Sequence, residues 1–479
     1  MSITDTFDPD RNGWIFENWG ETSAFSWDLF RRTYIGINPT HDCVEAPLDC
    51  AFYEIFKNCA AGGNCGGMSL LALAMFKHGG WMGFCGPANF YSGVSQPDRT
   101  DLYQAINILQ SRQFSASGIE NFIDVVDSGN LNNAITAYNT VTSHLGSGDY
   151  CVLSIANDAI GEDAHTVIPY ATHQVGGTRY IYVWDPNSPY DDYGPSHYDV
   201  GKNQIVINGA TNWQYVQRDG YTTGTRTYNG QPTGWCFAVP MSKVLRKARH
   251  PLALDMVLDG LIALFVSGPG TVAQVEDEEG RRLYVTDAAI HTSRGDLEAD
   301  PTRRLPGIAR WPWFAGNGNG QPGELYFLRG PATRRRLKIT LAGQKPRLLH
   351  VGAGSLIELE ASGAANSKVV IELAGVGTAN QGIRLSASDP RRSFDINQVH
   401  KAGGAQGWRG VKVDGLRPGK NGLDLRSTGY LRALEIETRG SSQQVKATVS
   451  RFEAGKLTSN EEPGLGISRA QRVRVAPLR

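Results

Sequence analysis

HTVIPYATHQVGGTRYIYVWDPN, residues 165–187, reads as two strands joined at a glycine pair. β-branched and aromatic residues fill both arms, and Gly176-Gly177 is the turn signal between them. An odd-length loop centred near Gly176 sets His165 opposite Asn187, with Asp185 as the diagonal neighbour on the same face. A two-residue loop sends Asp185 to the other face. On the first pairing, one short hairpin delivers an imidazole together with a group that can hold its tautomer.

The neighbouring segments extend the pattern. "YCVLSIA" (150–156) is a further strand, and "GWCFAVPMSKVL" (234–245) a closing strand and turn. Upstream the period changes from two to helical. "PLDCAFYEIFKNCA" (47–60) carries Phe52, Ile55 and Phe56 at helical spacing. A second helix is predicted from about Cys65 to His78, with Met68, Leu71, Ala72 and Met75 on one face and Gly79-Gly80 as its stop. "DLYQAINILQSR" (101–112) is a third helix and "IENFIDVV" (119–126) a weaker fourth. Helices first and an antiparallel sheet afterwards is the α+β order, expected over residues 1–248. A short apolar linker helix is expected within 249–268. Beyond it, residues 269–479 alternate apolar and polar with turn signals about every ten residues, the pattern of an all-β, sandwich-type region of one or two subdomains. "FAGNGNGQPGE" (314–324) is a candidate boundary between them.

Composition limits the function classes. With 479 residues, 41% hydrophobic and 20% charged, the chain has enough apolar material for a sizeable core. The longest apolar stretch, from Pro251, is broken by Asp255 and Asp259, so no membrane span is expected. The start lacks a basic and then apolar leader, which points to a cytoplasmic protein or one exported by a route that reads no such signal. Net charge is zero, but residues 1–245 carry 12 Lys and Arg against 24 Asp and Glu, and the remainder carries 35 against 23. Such halves attract each other. Alternatively, the basic half is an ordinary solvated β surface or contacts a partner or polyanion.

All seven cysteines lie in the acidic half: Cys43, Cys50, Cys59, Cys65, Cys85, Cys151 and Cys236. The odd number leaves at least one thiol outside any intramolecular disulfide, and the spacing contains no C-x2-C pair, so no zinc site is expected. Cys65 differs from the others. In "GGNCGGMSLLA" it sits among glycines at a helix start, where free N–H groups and the helix dipole favour a thiolate. The glycines would also let a substrate carbonyl approach the backbone. A nucleophile needs a base with an orienting partner, and His165 is the best placed of the ten histidines; His173 and His197 have no cysteine in view. "DPNSPYDD" is a turn, or a weak calcium loop offering Asp185, Asn187, Asp191 and Asp192 as oxygen ligands.

A Cys at a helix start, a His on a strand a hundred residues later and an Asx group on the next strand resemble the papain-like cysteine peptidase superfamily. "GGNCGGMSLLA", "AHTVIPYA" and "YVWDPNSPYDD" are similar in style to bacterial members, over about residues 40–240. The resemblance implies a papain-like domain with Cys65 as nucleophile, His165 as acid and base, and Asp185 as third member. Asn187 is the alternative on the same turn. There are departures: Gly66 follows the cysteine where an aromatic residue is usual, and Cys59 stands where a glutamine would donate to the oxyanion. Asn58 or Asn64 is then expected to supply the second donor beside the Cys65 N–H. The expected function is a thiol hydrolase, foremost a peptidase acting on a protein or peptide, without cofactor or metal and with the β-rich half as a binding or delivery module. A transglutaminase-like acyltransferase is a close variant, and a non-catalytic binding protein on the same scaffold is the rival.

Overall fold

The structure is a computed structural model. It describes residues 2–4, 7–43, 45–91, 100–147, 149–157, 164–187, 203–217, 226–231, 234–250, 261–267, 272–280, 282–285, 308–310, 323–329, 336–343, 345–352, 355–362, 367–375, 380–401, 407–429, 431–453, 456–469 and 471–475. These form two compact units, one from the described residues of Met1–Pro39 and Phe52–Pro251, the other from those of Thr40–Ala51, Leu252–Trp311 and Gly320–Arg479. Mixed helix and antiparallel sheet make the chain α+β.

The helices are α1 (Pro9–Asn12), α2 (Trp27–Thr33), α3 (Pro47–Phe56), α4 (Cys65–His78), α5 (Thr100–Arg112), α6 (Ala116–Asp127), α7 (Ala134–Leu145) and α8 (Met241–Val244). The first unit's strands are β1 (Ser2–Thr4), β2 (Gly80–Trp81), β3 (Phe84–Cys85), β4 (Cys151–Ala156), β5 (His165–Val175), β6 (Thr178–Trp184), β7 (Gln204–Ile207), β8 (Trp213–Gln217), β9 (Arg226–Asn229) and β10 (Trp235–Pro240). Local chemistry sets several ends. Ser26, Ser115 and Asn133 cap α2, α6 and α7 by accepting from the N–H of Leu29, Gly118 and Thr136. Gly79, at φ +68, ends α4 in the left-handed region. Propensity does not announce α7, whose sequence AITAYNTVTSHL is rich in β-branched residues. It is a helix because Ala134, Ala137, Tyr138, Val141 and Leu145 form one buried face.

The main sheet runs β10-β4-β5-β6-β7-β8-β9, with β1 also pairing with β5. Every residue of β4 is buried, as is the first part of β5, and α4 and α7 both pack against these strands. The β5–β6 hairpin departs from the expected loop. Val175 pairs with Thr178, so the turn is the two-residue Gly176-Gly177 with Gly176 at φ +58. That register alone would turn Asp185 away from His165. A β-bulge at Tyr170 corrects it: Ala171 pairs with Tyr182, but Pro169 pairs with Val183 and Ile168 with Trp184. The one-residue shift returns Asp185 to the face of His165. Pro169, beside the bulge, has no N–H to give to a ladder.

The second unit consists of two antiparallel sheets. The nine-stranded sheet includes Leu261–Ser267, Arg347–Gly352, Ser355–Ser362 and Ser393–Lys401; the eight-stranded one includes Leu337–Ala342, Val369–Ala374, Asn380–Ala387 and Leu423–Thr428. Residues from both, among them Ile339, Ile357, Ile371, Ile383, Phe394 and Leu425, form one buried apolar cluster. Their alternation with exposed polar residues is the period-two signal of the sequence. The expected linker helix of 249–268 is not what forms at its end. Leu261–Ser267 is a strand bonded on one side to Gly323–Arg329 and on the other to Arg347–Gly352; residues 251–260 lie outside the described residues. An uninterrupted apolar run carries no period to separate a buried helix from a central strand, and here two ladders decide it. The segment Thr40–Ala51 also belongs to this unit. There Cys43 and Cys50 form a disulfide and Trp408 Nε1 donates to Glu45 O at 3.1 Å. No helix among the described residues is long and apolar enough to cross a membrane.

Candidate active site

Cys65 is the first residue of α4 and is partly exposed. Asn64 before it has φ −111 and ψ 19, and its side chain does not cap the helix. The first turn is met in other ways. Gly67 N–H donates to Gln110 Oε1 at 2.9 Å, and Met68 N–H to Asn64 O at 2.9 Å. The N–H groups of Cys65 and Gly66 have no partner among the described residues. The glycines after the cysteine serve packing rather than substrate approach. A Cβ on Gly66 would stand 2.1 Å from Gln113 Nε2, and one on Gly67 would stand 2.2 Å from Ile106 O. Helix α5 occupies that space, which is why an aromatic residue does not follow Cys65.

Strand β5 reaches α4 directly: Ser69 Oγ, one turn into α4, donates to Thr166 O at 3.2 Å. His165 opens β5, 2% exposed, and Asp185 follows β6, fully buried. His165 Nε2 and Asp185 Oδ1 are 2.7 Å apart. The Cys65 thiol interacts with His165 and with the backbone and side chain of Thr166, and each of these favours its thiolate. The three predicted side chains are thus brought into one chain of contacts.

Four donors surround the carboxylate. Oδ1 accepts from His165 and from the Asn187 N–H at 2.8 Å, and Oδ2 from Tyr215 Oη at 2.6 Å and Gln217 Nε2 at 3.0 Å. Asn187 therefore enters through its backbone. Tyr215 and Gln217 lie on β8 at the far end of the sheet, which curls until β9 meets the end of β4, where Asn229 N–H donates to Asn157 Oδ1 at 2.9 Å. That curl stacks Tyr228 on His165, with ring centroids 5.9 Å apart, and Tyr215 on Tyr228 at 6.1 Å. Sequence reasoning missed all three. For Tyr215 and Gln217 the signal is the alternation of buried Trp213, Tyr215 and Gln217 in "WQYVQ".

Burial and pairing compete at each titrating group. Burial alone would push the Cys65 thiol up, but the His165 hydrogen bond and charge outweigh it and hold the thiol below its ordinary value. Burial would lower His165, but the Asp185 carboxylate and the Cys65 sulfur raise it to about 10. Asp185 is lowered despite its burial by His165, Tyr215 and the Asn187 N–H. Each shift favours the charged form of its group: thiolate at Cys65, imidazolium at His165 and carboxylate at Asp185. The other buried thiols go the opposite way: burial pushes Cys59 up to about 12 and raises Cys151 and Cys236 far above the ordinary thiol.

Both predicted oxyanion donors lie among the described residues. Asn58 is exposed, and Asn64 commits its amide nitrogen to Trp19 O at 3.2 Å. Cys59 bonds Ser111 Oγ at 3.1 Å in the core. His173 lies on β5 opposite Tyr180, while Asp191, Asp192 and His197 lie outside the described residues, the calcium loop with them. In the second unit His41, Cys43 and Cys50 place their ligand atoms within 4.8 Å of one another, two of them as the disulfide. Compared with known proteins, the chain matches no family model, no curated protein and no solved structure.

Proposed function

We propose that the protein is a thiol hydrolase of papain-like type, a peptidase or related amidase. Cys65 Sγ attacks the carbonyl carbon of the substrate, and the imidazolium of His165 gives its proton to the departing amine, leaving a thioester on Cys65. Neutral His165 then takes a proton from water as the water attacks the thioester, and keeps it as the Cys65 thiolate leaves and the acid is released, which restores the starting ion pair. Asp185 fixes the ring and stabilises its charged form. In this reading the β-rich unit is a binding or delivery module.

One observation carries the proposal: among the described thiols, Cys65 alone is lowered by an imidazole, and that imidazole is held by a buried carboxylate at 2.7 Å. The test is the iodoacetamide alkylation rate of each cysteine against pH, resolved by peptide mass spectrometry. Cys65 is expected to react fast well below pH 8, and to slow by about tenfold or more in His165→Ala, whose thiol would feel burial without its counter-charge. If Cys65 behaves as an ordinary thiol and ignores the loss of His165, the proposal fails. A binding protein on this scaffold is then the better reading.

A further inference from the structure

The thiolate of Cys65 has an acid and base beside it, but the oxyanion that would develop on a substrate carbonyl has one clear partner, the Cys65 N–H. The missing one lies forty-seven residues upstream. We propose that Asn18 is a catalytic residue whose side-chain amide, with the Cys65 N–H, binds the oxyanion formed during acyl transfer; this rests on the thiol-hydrolase reading.

Asn18 is clamped between the two loops that present the site. Its Oδ1 accepts the Asn64 N–H at 2.7 Å, immediately before Cys65. Its own N–H donates to Pro186 O at 2.9 Å, immediately after Asp185. A backbone N–H can be met only by the amide oxygen, so the orientation of this carboxamide follows from chemistry. Nδ2 is left over, with no partner among the described residues. It borders Gly63, which adopts φ +140 and whose Cβ would come within 3.0 Å of it.

The adjoining chain is held just as closely. Asn64 Nδ2 donates to Trp19 O, Glu21 N–H to Ala60 O at 3.0 Å, and a Cβ on Gly20 would lie 2.4 Å from Ala61 O. A donor fixed before the substrate arrives, on a side chain whose oxygen holds the residue preceding Cys65, is suited to stabilise charge that exists only in the transition state. It also accounts for the glutamine missing at Cys59, since the amide comes from a different segment.

Two reactions at one sulfur separate this idea from the reading beneath it. Alkylation by iodoacetamide needs the thiolate but forms no oxyanion, whereas acylation by p-nitrophenyl acetate needs both. The readout is the ratio of acylation to alkylation rate at Cys65, in which any change of thiolate fraction cancels. Asn18→Ala should lower that ratio by about 10²-fold. Asn18→Asp retains the acceptor for Asn64 N–H, removes the donor and adds a negative charge, so it should lower the ratio at least as much; it also keeps the test open if the alanine variant folds poorly. An unchanged ratio in either folded variant, or acylation and alkylation falling together, overturns the role of Asn18. An ordinary, unactivated Cys65 in the parent protein overturns both this inference and the thiol-hydrolase reading.

Discussion

Among the buried histidines, His165 from one unit and His350 from the other are held in opposite ways. His165 in the first unit touches a carboxylate, a thiol and an aromatic face, and is raised to about 10. His350 in the second unit, 0% exposed on the strand Arg347–Gly352, has neither ring nitrogen bonded among the described residues, and burial lowers it to about 4. Desolvation pushes both rings the same way, so the difference comes from the partners alone. A buried histidine therefore says little about function until its contacts are counted. An unpartnered ring marks a stability cost, and one wired to opposite charges marks a site.

The largest expected effect breaks the first half of that contrast. His165→Ala removes the acid and base and should reduce turnover by about 10³-fold, within the usual range for this kind of catalysis. It also strands a buried carboxylate, which costs about 3 kcal/mol in urea unfolding because Tyr215, Gln217 and Asn187 still donate to it. The parent's pH dependence follows from the same shifts. His165 is raised, so its pairing contributes fully below about 6.5 and is lost as pH climbs through about 10. Asp185 is lowered, so its contribution holds at neutral pH and is lost as pH falls through that lowered value. Turnover should plateau between the lowered value of Cys65 and about 10. An alkaline limb near the ordinary histidine value would mean that Asp185 does not hold the ring.

His350 gives the next effect, with the sign reversed. Its folded value of about 4 lies below the ordinary 6.5. Its neutral burial is therefore fully tolerated above about pH 6.5 and becomes costly as pH falls towards 4, where the unfolded chain takes up the proton first. That amounts to about 3 kcal/mol across the window. His350→Leu should make unfolding of the second unit less acid-sensitive between pH 7 and 4.5, read by urea melts at each pH. A variant with the parent's acid sensitivity would show that the ring has a polar partner after all.

The same contrast explains what could be read from the residues. Cys65, His165 and Asp185 were legible because each ends or begins an element with a strong local pattern: a glycine-bounded helix start, a strand opening after a polar turn, and a strand running into Pro186-Asn187. The pairing between them was legible only in outline. The glycine pair makes the shorter turn, and the bulge at Tyr170 restores the face, with Pro169 as the one local sign of it. Other contributions are tertiary. Gly66 and Gly67 answer to α5, some forty residues away, and Leu261–Ser267 becomes a strand because of the two strands that flank it. No local period contains that information. Tyr215 and Gln217 reach the carboxylate through the curl of a whole sheet.

The smallest effect tests that last contribution. Tyr215→Phe deletes one short hydrogen bond, the 2.6 Å contact to Asp185 Oδ2, while the ring can keep its place against Tyr228. Gln217 Nε2 remains on the same oxygen, and His165 and Asn187 remain on the other. The loss should be about 1–2 kcal/mol of stability, the range for a bond to a charged group with a second donor in place. Asp185 is held down less firmly, so it releases its proton at higher pH, and the acid loss of stability in urea melts moves to higher pH. Turnover on the plateau should fall only a few-fold. If Tyr215→Phe instead costs as much turnover as His165→Ala, the hydroxyl acts on the reacting groups themselves rather than through the carboxylate. The division between a directly acting histidine and a supporting strand would then have to be redrawn.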